Sequence, residues 1–246
     1  MAGERRLRIL ARLRVSETSQ LDPSQPDTSS LCQVSAAVTQ MSGAGIMLMS
    51  GDTPQGSICT TGGVSDLIER LQYELGEGPC VDAYKQDRPV LEPDLEHPAT
   101  PRWLGFSGPA CGAGVRAVFG FPLRVGAVRL GALNLYRDTP GRLGDDQHAD
   151  ALVMSDIAAE TILLLQADAP PGMLSAALQE GSDFHFAVHQ AAGMVAAQLG
   201  VSIGQALVRL RAHAFGNNRV LAEVAAEVVN RTLRFDAQSG EQDLSP

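Results

Sequence analysis

Between residues 209 and 219 the chain carries side chains suited to holding a nucleic acid by hydrogen bonding and stacking rather than by bulk charge. Arg209 and His213 are four apart and share one flank of a helical stretch, Arg211 projects from the other flank, and Asn218 and Arg219 follow a glycine. Guanidinium and amide groups in such a set can read phosphates and the edges of unpaired bases. For any one of these arginines alone, a solvated helical face is the simpler account. From Ser182 to Asp236 five arginines and no lysine face four carboxylates, a net charge of +1. A grip on duplex phosphates needs a more basic surface. Near-neutrality fits splayed bases in small RNA loops, and fits a module that binds no RNA equally well.

The other reactive side chains are sparse. Cysteines stand at 32, 59, 80 and 111 without a CxxC pair, and Met1 to Arg14 lacks the apolar core of an export signal, so free cytosolic thiols are expected. His97 and His148 have no neighbour at ligand spacing. His185 and His189 are four apart, which reads as a polar helix flank rather than a metal pair, and no metal is assigned. There is no triad order, P-loop, dinucleotide fingerprint or receiver-like phosphoacceptor. The net charge of −9 sits mostly before residue 182, which excludes that body as a nucleic-acid binder by itself. Met1 to Arg14 is a basic exception, readable as an RNA arm, a frayed tail or an over-extended start. No apolar run is long enough to span a bilayer.

The elements that must position these groups follow from periodicity. A helix is predicted from about Asp183 to Leu199, with Phe184, Val188, Ala191, Val195 and Leu199 on one face and Gly200 ending it. Ser202 with Gln205 forms a capping-box pattern that starts a second helix, whose inner stripe is Ile203, Ala206, Leu207, Leu210 and Ala214. Gly216 to Asn218 break it, and Asn218 is a candidate N-cap for a third helix that buries Leu221, Val224, Ala225 and Val228. Upstream, Ser16 to Ser30 reads as a disordered linker. Leu31 to Met41 and Val64 to Glu74 read as helices. Gly45 to Ser50, Ser57 to Thr61, Pro89 to Leu91, Val115 to Pro122 and Leu130 to Tyr136 read as strands. Pro93 to Gly114 reads as loop with one brief helix. Asp145 to Gln166 is a long helix with the stripe Ala149, Leu152, Val153, Ile157, Thr161, Leu164 and Leu165, whose breadth points to a homodimer contact or to packing within the chain. Asp168 to Gly172 then forms a hinge.

Three motifs in register carry a family resemblance. Gln190-Ala191-Ala192-Gly193-Met194, then Ala206-Leu207-Val208-Arg209-Leu210-Arg211 with Ala214-Phe215, then Asn218-Arg219-Val220-Leu221-Ala222-Glu223-Val224-Ala225 resemble the three helices of the ANTAR module of bacterial antiterminators. The resemblance implies binding to RNA hairpins in mRNA leaders, with Gln190, Gly193, Met194, Arg209, Arg211, His213, Asn218 and Arg219 as the contacting residues. Many relatives carry a lysine where this chain has Ala192. Leu75-Gly76-Glu77-Gly78-Pro79-Cys80, Arg102-Trp103, Gly114-Val115-Arg116-Ala117-Val118 with Phe121-Pro122-Leu123, and Leu130-Gly131-Ala132-Leu133-Asn134-Leu135-Tyr136 resemble a GAF sensor domain. That resemblance implies a small-molecule pocket, for which Cys80, Trp103, Phe106, Phe119, Phe121 and Tyr136 are the candidate walls, with plain core packing as the alternative for each.

The expected fold is thus an α/β GAF sensor domain, an antiparallel sheet with flanking helices, followed by an all-α three-helix ANTAR domain. The expected boundaries are a basic, disordered segment 1–30, sensor 31–144, connecting helix and hinge 145–181, ANTAR domain 182–236 and a tail 237–246. The whole is similar to GAF–ANTAR antitermination regulators of the actinobacterial type: cytoplasmic, dimeric, responsive to a ligand, not an enzyme and not a membrane protein. No cofactor is assigned. Three other readings stay open. One is a DNA-binding helix-turn-helix regulator, and another is a partner-binding regulator with a degenerate RNA face. The third is a GAF-fold thiol enzyme like the free methionine sulfoxide reductases, using Cys59, Cys80 and Cys111.

Overall fold

Six strands pair antiparallel into one sheet whose central strands are buried on both faces. They are β1 (Gly43–Ser50), β2 (Thr53–Thr60), β3 (Val90–Glu92), β4 (Ala117–Val125), β5 (Val128–Arg137) and the two-residue β6 (Asp183–Phe184), in the order β3-β4-β5-β1-β2-β6. This is a computed structural model that describes residues 2–18, 28–51, 53–167, 175, 178, 183–184 and 186–236. The chain divides into two units, Met1–Phe184 and His185–Pro246. Of the linker expected over Ser16–Ser30, residues 16–18 and 29–30 are helical, while 19–27, the hinge over 168–172 and the tail from 237 lie outside the described residues.

On one face of the sheet, Ala117, Phe119, Phe121 and Leu123 of β4 join Leu133 and Leu135 of β5 and Ala44, Ile46 and Leu48 of β1. Helices α2 (Ser29–Thr39) and α6 (Asp145–Gln166) cover them. The intervening residues Val118, Ala132 and Tyr136 face the opposite way. There they meet Ile68 of α3 (Val64–Leu75), Cys80 and Ala83 of α4 (Pro79–Gln86), and Phe106 and Ala110 at α5 (Ser107–Gly112). Two strand glycines let the helices of this second face lie directly on the sheet. A Cβ on Gly120 would fall 2.3 Å from the Pro79 carbonyl oxygen, and one on Gly45 would fall 2.6 Å from Glu69 Oε1.

The basic amino-terminal segment is not a tail. Ala2–Thr18 form helix α1, whose Ile9 and Leu13 are buried in the first core. Burying such a side chain contributes roughly 1.5–3 kcal/mol, and three of the arginines that suggested a polyanion-binding arm, Arg5, Arg6 and Arg8, have internal partners. Arg5 donates to Asp146 Oδ1 (2.7 Å) and Asp150 Oδ1 (2.6 Å), Arg8 to Asp150 Oδ1 (2.7 Å), and Arg6 to Glu160. Asp150 is therefore buried on α6, and the buried stripe of that helix runs through Ala151, Met154, Ile157, Ala158 and Ile162; of the expected line, Ile157 is buried and Val153 and Leu165 pack partly buried against the core. Leu152 and Leu164, placed on the inner stripe by periodicity, are exposed. This packing places α6 in the first unit.

Helix α4 is a second element that the periodicity did not reveal. Pro79 opens it at the first helical position, where a missing N–H costs nothing, and Cys80 lies in its first turn. Gly76, in the left-handed region (φ 69°), ends α3 just before it.

Candidate functional site

In the second unit three helices, α7 (Phe186–Leu199), α8 (Ile203–Gly216) and α9 (Leu221–Val229), pack around most of the stripes that periodicity selected; Phe184, expected on the first helix, lies in β6 instead. Val188, Ala191 and Val195 are buried, as are Ala206, Leu207, Leu210 and Ala214 on α8 and Leu221, Val224, Ala225 and Val228 on α9. The capping box is formed: Gln205 N–H donates to Ser202 Oγ (3.2 Å) and Ser202 N–H to Gln205 Oε1 (3.0 Å). Ile203, expected inside, is exposed because it lies in the first turn. Asn218 does not cap α9. It takes a left-handed conformation (φ 52°) in the turn after α8, and Val220 occupies the cap position.

The candidate RNA-binding residues fall into different environments. Gln190 and Gly193 line the exposed flank of α7, with Met194 half-buried beside them. Arg209 and Asn218 are exposed, and Arg211 is half-buried. The His213 ring packs edge-on against Phe235, with centroids 5.3 Å apart, and Phe235 is itself anchored by donating its N–H to Gln198 Oε1 (2.9 Å). Arg219 is forked onto Glu227 at 2.7 and 2.9 Å, which holds the Glu227 carboxyl below its ordinary pKa and raises that of the guanidinium. Sequence reading missed Gln198, Glu227 and Phe235 as neighbours of the set, since Glu227 reads as a solvated position and Phe235 follows the last helix. Ala192 is fully buried, so in this chain the position of the family lysine serves helix packing.

In the first unit the candidate pocket walls divide between the two faces. Cys80, Trp103, Phe106 and Tyr136 share the α3–α4 face. Phe119 and Phe121 do not join them: odd positions of β4 point to the α2–α6 core, opposite to Val118. Trp103 is fixed by donating Nε1–H to Asp82 Oδ2 (2.9 Å), with the Arg102 guanidinium 4.6 Å above its ring. Glu77 accepts the N–H groups of Gly105 (2.6 Å) and Phe106 (2.9 Å), which ties the motif around Gly76 to the loop carrying the aromatic residues.

A polar group lies beneath these walls. Glu69 of α3 is 3 % exposed, accepts from Asn134 Nδ2 at 3.1 Å, and is pushed up to about 8 by burial, against the opposing pull of Asn134 and Ser57. Gln72, one turn on, accepts the Cys80 N–H at 2.7 Å, and burial followed by the nearby Glu69 carboxyl raises the Cys80 thiol well above its ordinary pKa. Sequence reading missed this group, although two signals could have found it. Ser65, Ile68, Glu69 and Gln72 share one helical face, and Asn134 alternates in phase with Ala132 and Tyr136.

The expectation of four free thiols is overturned. Cys32 of α2 and Cys59 of β2 form a disulfide, their Cα atoms 6.0 Å apart, because α2 lies across the sheet face that carries Cys59. Cys80 and Cys111 are free but sit on the other face. Cys59, Cys80 and Cys111 therefore do not assemble into one thiol site. Among the described residues no cluster of three or more His, Cys, Asp or Glu could hold a metal ion, and His185 lies outside them.

Residues 29–159, more than half of the chain, match the GAF domain family. The chain belongs to that family. Residues 176–229 match the ANTAR domain. GAF domains are sensor domains and ANTAR domains are RNA-binding antitermination modules, so this order of domains is that of a regulator. No curated protein matches the chain. Among solved structures, the GAF domain from an Acinetobacter phosphoenolpyruvate-protein phosphotransferase is 12 % identical with a TM-score of 0.50, covering 68 % of this chain and 96 % of its own. The corresponding GAF domain from Coxiella burnetii is 14 % identical (TM-score 0.49; 67 % and 96 % covered). The type II free methionine-R-sulfoxide reductase from Thermoplasma acidophilum is 17 % identical (TM-score 0.44; 55 % and 89 % covered). At such identities the likeness concerns the fold of the GAF domain alone. Among the described residues no single helix is long and apolar enough to cross a membrane.

Proposed function

We propose that the chain is a signal-responsive cytoplasmic regulator that promotes transcription antitermination by binding small RNA hairpin loops through its ANTAR domain. The observation that carries this reading is the pairing of a GAF sensor with an ANTAR module in one chain. Arg209 stands exposed midway along α8, two residues from Arg211, and Asn218 stands exposed in the turn after it, where unpaired bases need hydrogen-bonding partners. Gln190, Gly193 and Met194 would offer a flat surface on α7 against which a loop can lie. His213 and Arg219, engaged with Phe235 and Glu227, would contribute after exchanging those partners for RNA. A ligand in the GAF domain controls the output only by binding the RNA-competent and RNA-incompetent states with different affinity. Two hairpins held together call for two modules, so the active species is a homodimer, with the exposed Leu152 and Leu164 of α6 as its apolar contribution.

The test is binding of the full chain to hairpins with randomised loops, with duplex DNA as competitor. Selected hairpins should hold against duplex DNA, and Arg209→Ala with Arg211→Ala should weaken them at least tenfold with folding unchanged. A preference for duplex DNA refutes the RNA reading in favour of a helix-turn-helix, and indifference to both arginines refutes the assigned face.

A further inference from the structure

On the α3 side of the sheet three buried side-chain atoms have no hydrogen-bond partner: Glu69 Oε2, Asn134 Oδ1 and Gln72 Nε2. Their residues are 3 %, 1 % and 0 % exposed. They form one cluster, since Asn134 donates to Glu69, Gln72 lies one turn along α3, and both Gln72 and Glu69 bear on Cys80. Native proteins leave few such atoms unpaired, because each is destabilising without a partner.

The groups facing the carboxyl come from four elements. Ser57 of β2, its hydroxyl within hydrogen-bond distance of the Ile46 and Cys59 carbonyls, also hydrogen-bonds the Glu69 carboxyl; Asn134 comes from β5, Cys80 from α4 and Asp66 from α3 itself. None of them is a cation. With the Glu69 carboxyl ionised, two acceptors, one of them charged, stand beside a single amide donor, and the complement is a positively charged group with several N–H donors and an adjacent acceptor.

We propose that Glu69, Asn134 and Gln72 form a binding site for a small primary amine in its ammonium form. This rests on the sensor reading of the GAF domain and names the class of its ligand. The ammonium donates to Glu69 Oε2 and Asn134 Oδ1, and a hydroxyl on the neighbouring carbon accepts from Gln72 Nε2. Without ligand, burial keeps a proton on Glu69 at neutral pH. Binding replaces that proton: the carboxylic acid and the ammonium give the carboxylate–ammonium pair and one proton released to solvent. Affinity therefore rises about tenfold per pH unit until the carboxyl is ionised, near pH 8.

Calorimetry on the full chain with ethanolamine at pH 6, 7 and 8, in buffers of different ionisation heat, reads both affinity and proton release. The expected result is saturable binding with about one proton released at pH 6 and 7, a tenfold gain between them, and loss in Glu69→Gln. Methylamine should bind too, and Gln72→Leu should weaken ethanolamine more than methylamine, a comparison that holds even if the Glu69 variant fails to fold. Acetamide and tetramethylammonium, which lack the charge and the N–H donors respectively, should not bind. No binding of either amine, equal binding of acetamide or tetramethylammonium, or affinity unchanged by Glu69→Gln overturns the site. Hairpin affinity measured in the same samples keeps the two readings apart. Glu69-dependent amine binding that leaves RNA affinity unchanged upholds the site and refutes sensor control of the RNA domain.

Discussion

Replacing Glu69 by glutamine should stabilise the GAF unit, and by more as the pH rises. In the folded protein the carboxyl is pushed up to about 8 by burial, whereas an unfolded glutamate titrates near 4.5. Between those values the folded state holds a proton that the unfolded state has released, so stability falls as pH increases, by about 1.4 kcal/mol per unit. Glu69 is fully stabilising below pH 4.5 and its contribution is lost as pH climbs through 8. Across the whole interval the loss is about 5 kcal/mol, and by pH 7 about 3 kcal/mol has gone. Glutamine has no charge to desolvate, and its amide can donate to Asn134 Oδ1 while its oxygen accepts from Asn134 Nδ2. Urea unfolding of wild type and Glu69→Gln at half-unit steps from pH 5 to 9, following the Trp103 fluorescence of the GAF unit, gives the difference directly. It should be within about 1 kcal/mol at pH 5, widen with the stated slope and level off above pH 8. Parallel curves would show that the carboxyl is not held protonated, and the electrostatic account of the cluster would fail.

Reducing the Cys32–Cys59 bond, or replacing both residues by alanine, opens a 27-residue separation and should destabilise the same unit by about 3–4 kcal/mol in denaturant titration. Unchanged stability under a dithiol reductant would mean that the pair does not form. Ile9→Ala should cost about 2–5 kcal/mol, as a core position does, and a negligible change in thermal unfolding would return α1 to the status of a loose tail. Glu227→Gln releases Arg219 from its forked partner and removes a negative charge, so hairpin affinity should rise several-fold and its salt dependence steepen by about one counterion. Weaker binding in that variant would assign the ion pair a role in shaping the RNA face.

The three ANTAR helices were legible because small apolar residues recur at helical spacing and Ser202 with Gln205 marks a start that no tertiary contact alters. The strands β1, β4 and β5 were legible for a related reason, as they are buried on both faces and bounded by turn residues. What escaped was set by partners distant in sequence. Helix α1 reads as a basic arm until Asp146, Asp150 and Glu160, more than 140 residues away, pair with Arg5, Arg8 and Arg6. The disulfide is likewise invisible without the crossing of α2 over β2. Phe119 and Phe121 illustrate a different limit: in a strand hydrophobic on both sides, composition does not say which face holds a site. Glu69 was hidden by its type, since a glutamate on an amphipathic helix is usually solvated.

Ser57 has two neighbours of different consequence. Its side chain borders the buried Glu69 carboxyl, and its backbone pairs with Asp183 in the last strand before the helices of the ANTAR domain begin at Phe186. The exit of the chain from the sheet is thus stitched to the residue that flanks the proton-holding acid.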